Sequence, residues 1–354
     1  MMPIITQQLI NIALMNHLLK KAEFFFAILF FSVCLMSCSG NGRYWQLTGY
    51  AQGGTYSVKF NSQGVKVPQP EIQAAVDSIL TLIDTTLSGY NKGSQLSRFN
   101  AGVPVELNDM FKDIYLRSRS FYEETGGALD VAAAPLFDIW GFGFTSDRMP
   151  SKETVDSVLA VCGMDKMAPD MSSAVPGVRP RLNFNAVAQG YTSDMIAGYL
   201  HSIGVKDMLV EIGEIYCEGV NQKGVPWTIG IDRPIDGNMN PGADLDGIWQ
   251  GDGSGRGVVT SGNYRKYYEK DGRKYSHTID PRTGYPVQHN LLSATIIAPD
   301  ATSADAYATY CMVIGLDQAR EFILSRDDLE GYLIYDDDGT MTEWASSGFK
   351  LAGK

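Results

Sequence analysis

Apolar residues return at helical spacing in six stretches of the chain. Over 71–87 they fall at Ile72, Val76, Ile79, Ile83 and Leu87, directly after Pro70, and predict a helix. Phe111, Ile114, Tyr115, Ser118 and Tyr122 predict a second over about 109–124, stopped by Gly126-Gly127. Residues 151–161, 188–203, 305–314 and 318–325 also read as helical. Alternating or β-rich runs predict strands at 55–60, 208–212, 227–231, 257–261 and 293–298. A hairpin is predicted from 332–335 and 341–344 around the turn 336–339. Strands do not alternate regularly with helices, so the pattern favours an α+β fold over a doubly wound sheet. Residues 234–255, rich in Gly, Asp, Asn and Pro, read as one long loop.

The N-terminal segment follows another logic. Lys20 and Lys21 precede an apolar run over 24–36, too short to span a bilayer comfortably and right for a signal-peptide core. The run closes in Leu35-Met36-Ser37-Cys38-Ser39-Gly40, which resembles a bacterial lipoprotein signal. The expected organisation is a signal over 1–37, lipid on Cys38, a linker over 38–54 and one domain over 55–354. Such a chain would sit on a membrane with its domain on the periplasmic side.

Composition narrows the classes. Hydrophobic residues make up 44% and charged residues 19%, enough for a packed core. The net charge of -11 lacks the basic face a nucleic-acid binder needs, so no nucleic-acid partner is expected. Backbone amides or a metal still allow a small anionic ligand. Beyond Cys34 and Cys38, only Cys162, Cys217 and Cys311 remain, widely spaced, which fits neither a zinc ribbon nor a disulfide framework. His201, His277 and His289 are too few and too scattered for a multi-histidine metal site.

Four clusters carry candidate chemistry. Ser88-Gly89-Tyr90 through Asn100 is a polar run after a helix, open to reading as a ligand-facing or a solvated loop. Gly126 to Asp130, with Pro135 through Trp140-Gly141-Phe142-Gly143, combines glycines with aromatic rings that can stack on a flat ligand. Asn185 through Asp194 is a polar, small-residue entry into a helix, suited to presenting amides or carbonyls to an ion. The fourth gathers Thr260-Ser261-Gly262-Asn263-Tyr264-Arg265, His277 through Pro286, and Ser303 through Thr309. Asp305 and Thr309 are four apart, so a helix puts their oxygens on one face, a pairing that suits Mg²⁺.

In this order the clusters resemble the ApbE family, the FAD:protein FMN transferases, over nearly all of the chain after Cys38. The resemblance implies a mixed α/β architecture with an FAD cleft between strand-rich and helical parts. It implies Mg²⁺-dependent cleavage of FAD, transfer of FMN to a Thr or Ser hydroxyl of an acceptor protein, and release of AMP. Acceptors in such a family include subunits of ion-pumping redox complexes. Matched positions make Tyr90, Ala128, Leu129, Asp130, Gln189, Met195 and Ile279 the expected FAD contacts. Thr192 (through its carbonyl), Asp305, Ala308 and Thr309 fall on the metal site. Asp305 and His277 are both candidates for proton handling. Arg265 and Arg282 are candidates to neutralise phosphate.

Three positions depart from the family pattern. Gln189 stands where the family carries Lys, Gly53 where it carries Met, and Gly213-Glu214 where it carries a longer Gly-Gly-acidic turn. Two other readings share the same residues: an FAD pyrophosphatase that uses water as acceptor, and an FAD-binding lipoprotein without turnover.

Overall fold

The computed structural model describes residues 43–143, 149–168, 170–235, 238, 242–263, 267–270 and 273–352. The signal-like segment, Cys38, Tyr264 and Arg265 lie outside the described residues. The chain opens with β1 (Tyr44–Ala51), β2 (Gly54–Asn61), α1 (Gln69–Leu87), α2 (Gln95–Ala101) and α3 (Asp109–Glu124). Then come α4 (Ala134–Ile139), α5 (Lys152–Leu159), α6 (Ala188–Ser202), β3 (Met208–Ile212), β4 (Glu214–Glu218), β5 (Thr228–Asp232) and β6 (Leu245–Gln250). β7 (Arg256–Gly262), β8 (Tyr267–Lys270), β9 (Arg273–Ser276), β10 (Ile279–Asp280), β11 (Tyr285–Pro286) and β12 (Leu291–Ala298) follow. The last elements are α7 (Ala301–Ile314), α8 (Leu316–Leu324), β13 (Glu330–Asp337) and β14 (Thr340–Ala345).

Eight strands form one sheet in the order β1-β2-β3-β4-β7-β12-β13-β14, every neighbouring pair antiparallel. The period of two sorts its side chains between two cores. Val259, Ala294, Ile296, Ala298 and Leu333 join the core under the helices. Val258, Ile297, Tyr332 and Ile334 point the other way, where the β5–β6 hairpin covers them with Ile229, Ile231 and Trp249. At the β1–β3 end, Val58, Phe60, Met208 and Val210 meet Ile72 and Val76 of α1 and Ile196 and Leu200 of α6. This is the α+β arrangement that the sequence pattern predicts.

The structure corrects the expected boundaries at several points. Residues 38–54 were expected as a linker, but β1 is paired along its length with β2 and the folded unit begins at Arg43. Its alternation is weak because β1 is an edge strand with only Leu47 fully buried. The expected loop over 234–255 contains β6, and the polar run after α1 contains α2, capped by Ser94 through Ser97 N–H. Helix α7 starts at Ala301, four residues before the predicted start, because Asp300 caps it through Ser303 N–H at 2.8 Å. Among the described residues, no helix is long and apolar enough to cross a membrane.

One buried group makes stability depend on pH. His289, between β11 and β12, donates from Nε2 to the Met312 carbonyl at 2.8 Å, and its buried Nδ1 has no hydrogen-bond partner among the described residues. Burial lowers its pKa below the ordinary 6.5. The folded chain therefore keeps the ring neutral, whereas the unfolded chain takes up a proton below about pH 6.5. Stability contributed by the neutral ring is present above that pH and is lost as pH falls through it. Urea midpoints at about pH 7 and about pH 5 test this against His289→Asn. The wild type is expected to lose more on acidification than the variant; equal losses would place the linkage elsewhere.

Candidate functional site

Helices α6 and α7 pack side by side, and a glycine sets how closely. A β-carbon on Gly190 would overlap the Ala301 carbonyl and press on the Asp305 side chain. Without it, the Gly190 N–H donates to Asp305 Oδ2 at 3.1 Å across the gap. That amide lies in the first turn of α6, where backbone donors lack intrahelical acceptors. Asp305 is 5% exposed. Burial pushes its carboxyl above the usual range; the Gly190 amide opposes this and the negative charge of Asp194 adds to it. No cationic side chain among the described residues acts on it. Among the described residues this buried carboxyl has no positive neighbour, and its ionised form is costly unless a cation completes it.

Asp194, a turn further along α6, holds the start of α7. Its Oδ1 accepts Ala301 N–H at 2.8 Å; its Oδ2 accepts Thr302 N–H at 2.8 Å and the Thr302 hydroxyl at 2.5 Å. With Asp300 taking Ser303 N–H, the first three amides of α7 are satisfied by carboxylates at the positive end of the helix. Burial raises the Asp194 pKa, and the Thr302 hydroxyl and these amides pull it back.

One turn beyond Asp305, the Thr309 Oγ1 stands 3.5 Å from the Ser261 Oγ of β7. Thr192 is fully buried on α6, and its hydroxyl donates to the Ala188 carbonyl at 2.7 Å. Ala308 is also fully buried. The sequence-predicted metal residues therefore lie on two helices that the Gly190–Asp305 bond joins. Among the described residues no three His, Cys, Asp or Glu side chains converge on a metal position. The donors are one carboxylate, hydroxyls and main-chain carbonyls, all hard oxygens, and this set fits Mg²⁺ rather than a thiophilic or imidazole-seeking metal.

The expected flavin contacts fall in three settings. Tyr90 is 71% exposed, on a loop stiffened by Ser94 and Ser97 hydroxyls donating to the Ser88 carbonyl. Asn100, at the far end of that run, exchanges two hydrogen bonds with the Leu182 backbone, which brings the loop to the segment before α6. Ala128, Leu129 and Ile279 are buried in the core, so their side chains are packing groups. Asp130 accepts Ala132 N–H at 2.7 Å and Met164 N–H at 3.0 Å, capping the short turn Val131–Ala133. Burial pushes its carboxyl up to about 6 against the pull of those amides. Met195 of α6 packs partly buried against the helical core.

The aromatic run and the His277 segment meet. Trp140 Nε1 donates to the Gly284 carbonyl at 2.8 Å, and the Phe142 ring stands edge-on to His277 with centroids 6.4 Å apart. Arg282 forms a two-pronged pair with Asp280, both contacts 2.9 Å, so its charge is already matched within the β10–β11 hairpin. Gln189 lies against Gly213, the one residue joining β3 to β4, with φ +81. A β-carbon there would strike the Gln189 amide, so the shortened turn and the neutral side chain fit each other. Composition gave no signal for Asp194, Gly190 or Ser261 as site-building residues, although all three lie in runs that stood out.

Known proteins resemble this chain closely. The family model described as "ApbE family" matches residues 52–333. A Haemophilus influenzae protein named FAD:protein FMN transferase is 32% identical over 334 residues, covering 90% of this chain and 94% of that protein. Its Escherichia coli K12 namesake is 34% identical over 291 residues, covering 79% and 81%. The solved flavin transferase ApbE of Vibrio cholerae superposes with a TM-score of 0.74 at 30% identity, over 86% of this chain and 98% of that one. The apo flavinyl transferase ApbE of Pseudomonas stutzeri gives 0.75 at 30% identity, over 88% and 96%. The ordered motifs, the eight-stranded sheet and a family match over most of the sequence converge, and the chain belongs to the ApbE family.

Proposed function

We propose that this protein transfers the FMN half of FAD to a Thr or Ser hydroxyl of a target protein and releases AMP. The observation that carries the reading is the α6–α7 junction, where buried Asp305 has one amide donor and, among the described residues, no cationic neighbour. The family membership supplies the substrate class. Asp305, the Thr309 hydroxyl and the Thr192 and Ala308 carbonyls would hold Mg²⁺. When bound, the ion neutralises pyrophosphate charge and stabilises the leaving phosphate.

The chain's own groups do the rest. The acceptor hydroxyl oxygen forms a bond to the FMN phosphorus, the anhydride bond to the AMP phosphate breaks, and the hydroxyl proton leaves. Asp305 is committed to the cation, which leaves His277 as the proton acceptor. Tyr90 is exposed to lie against the flavin ring, and the Ala128-Leu129-Asp130 turn, Gln189, Met195 and Ile279 frame the nucleotide. The lipoprotein-like run ending at Cys38 supports a membrane-anchored protein with its domain on the periplasmic side.

The test uses the full chain in detergent, FAD and an unmodified acceptor domain that another transferase is able to flavinylate, with and without Mg²⁺. AMP in step with flavin fluorescence on the acceptor, abolished by a chelator, is the expected result. AMP with free FMN alone would establish a pyrophosphatase instead. FAD uptake without AMP would leave a binding protein.

A further inference from the structure

The β1–β2 turn contains a residue that its own geometry does not explain. Ala51 pairs with Gly54, so Gln52 and Gly53 form a two-residue turn, with φ +51 and +83. Both angles lie in the left-handed region, the mark of a turn that favours Asn-Gly, Asp-Gly or Gly-Gly. Gln has no special ease there, and glycine would adopt the angle without strain. What the glutamine adds is reach. Its Nε2 donates to the Thr192 Oγ1 at 2.5 Å, across 140 residues of sequence. The Thr192 hydroxyl has given its own proton to the Ala188 carbonyl, so it meets Gln52 as an acceptor. The tip of an edge hairpin is thereby tied to Thr192, one turn into α6 and two residues beyond the Gly190 amide that holds Asp305.

We propose that Gln52 is a positioning residue for the transfer site: its amide fixes the Thr192 turn of α6 and so sets the carbonyl and amide that frame the cation and the pyrophosphate of FAD. The inference rests on the function proposed above. It assigns a task to the hairpin tip, where Gly53 leaves no side chain to approach the flavin.

Two variants separate positioning from folding. Gln52→Gly relaxes the turn and removes the donor. Gln52→Glu keeps length and shape but offers an acceptor to a hydroxyl whose proton is already committed. Mg²⁺ and FAD binding are measured directly by calorimetry on the full chain in detergent, and folding by thermal melting. Both variants are expected to bind Mg²⁺ in the presence of FAD about fivefold more weakly, the worth of one hydrogen bond. Gln52→Gly is expected to melt no lower than wild type. Adding it to Thr192→Val should produce no further weakening, because the two act through one bond. Variants that bind both ligands as tightly as wild type would overturn the assignment, as would additive losses in the double variant. A wild-type chain that takes up neither Mg²⁺ nor FAD would overturn the parent reading, and this one with it.

Discussion

Asp305→Ala is expected to lower AMP release about 10²–10³-fold, equivalent to roughly 3–4 kcal/mol of lost transition-state stabilisation. The direction follows from the chemistry of the α6–α7 junction. Phosphoryl transfer depends on charge neutralisation at the pyrophosphate, and Asp305 is the sole carboxylate among the proposed donors. Folding is expected to survive, because among the described residues the side chain receives one hydrogen bond and has no cationic neighbour to lose. Release of AMP from FAD by the purified variant, followed chromatographically at saturating Mg²⁺, decides the matter. Retention of wild-type rates would remove Asp305 from the mechanism. Asp305→Asn adds a second reading: it keeps the shape and the Gly190 contact, so equal loss in both variants assigns the effect to charge.

Asp194 is expected to behave oppositely, as a residue whose loss is felt first in stability. Asp194→Ala strips three hydrogen bonds from the start of α7 and leaves the Ala301 and Thr302 amides without acceptors. Buried donors left unsatisfied cost about 1–3 kcal/mol each, so a loss of about 3 kcal/mol is expected. That is a large share of the roughly 5–15 kcal/mol that holds a typical domain. Urea unfolding gives the number. A midpoint unchanged from wild type would mean that water or a shifted α7 replaces the carboxylate. Asp194→Asn, which keeps one acceptor oxygen, should fall between.

Helices with a clean apolar stripe were legible in the sequence almost to the residue. α3 runs over the predicted 109–124, and β3 over the predicted 208–212. The errors share a physical cause. β1 and β6 lie where half or more of each strand faces solvent, so their polar positions mask the alternation. α2 is short, and its capping serine reads as part of a polar loop. At the site, residue type and spacing placed Asp305 and Thr309 on one helix, which the structure bears out, because a helix fixes i and i+4 on one face. Gln52 left no such trace. A glutamine in a turn acquires meaning only when the fold places Thr192 beside it.

The contacts that build this site are far apart along the chain. Gly190 and Asp305 are 115 residues apart, Gln52 and Thr192 are 140 apart, and β2 finds its partner β3 only after six of the eight helices among the described residues have been made. Loop-closure entropy must be overcome before such pairings stabilise anything, so this topology belongs with slowly folding proteins of high contact order. During synthesis, a nascent chain that has not yet delivered α7 lacks Asp305, although β7 and β12, the strands that seat the helix, are already made. Flavin capture is consequently among the last properties the molecule gains, and partly made chains stay inert toward FAD.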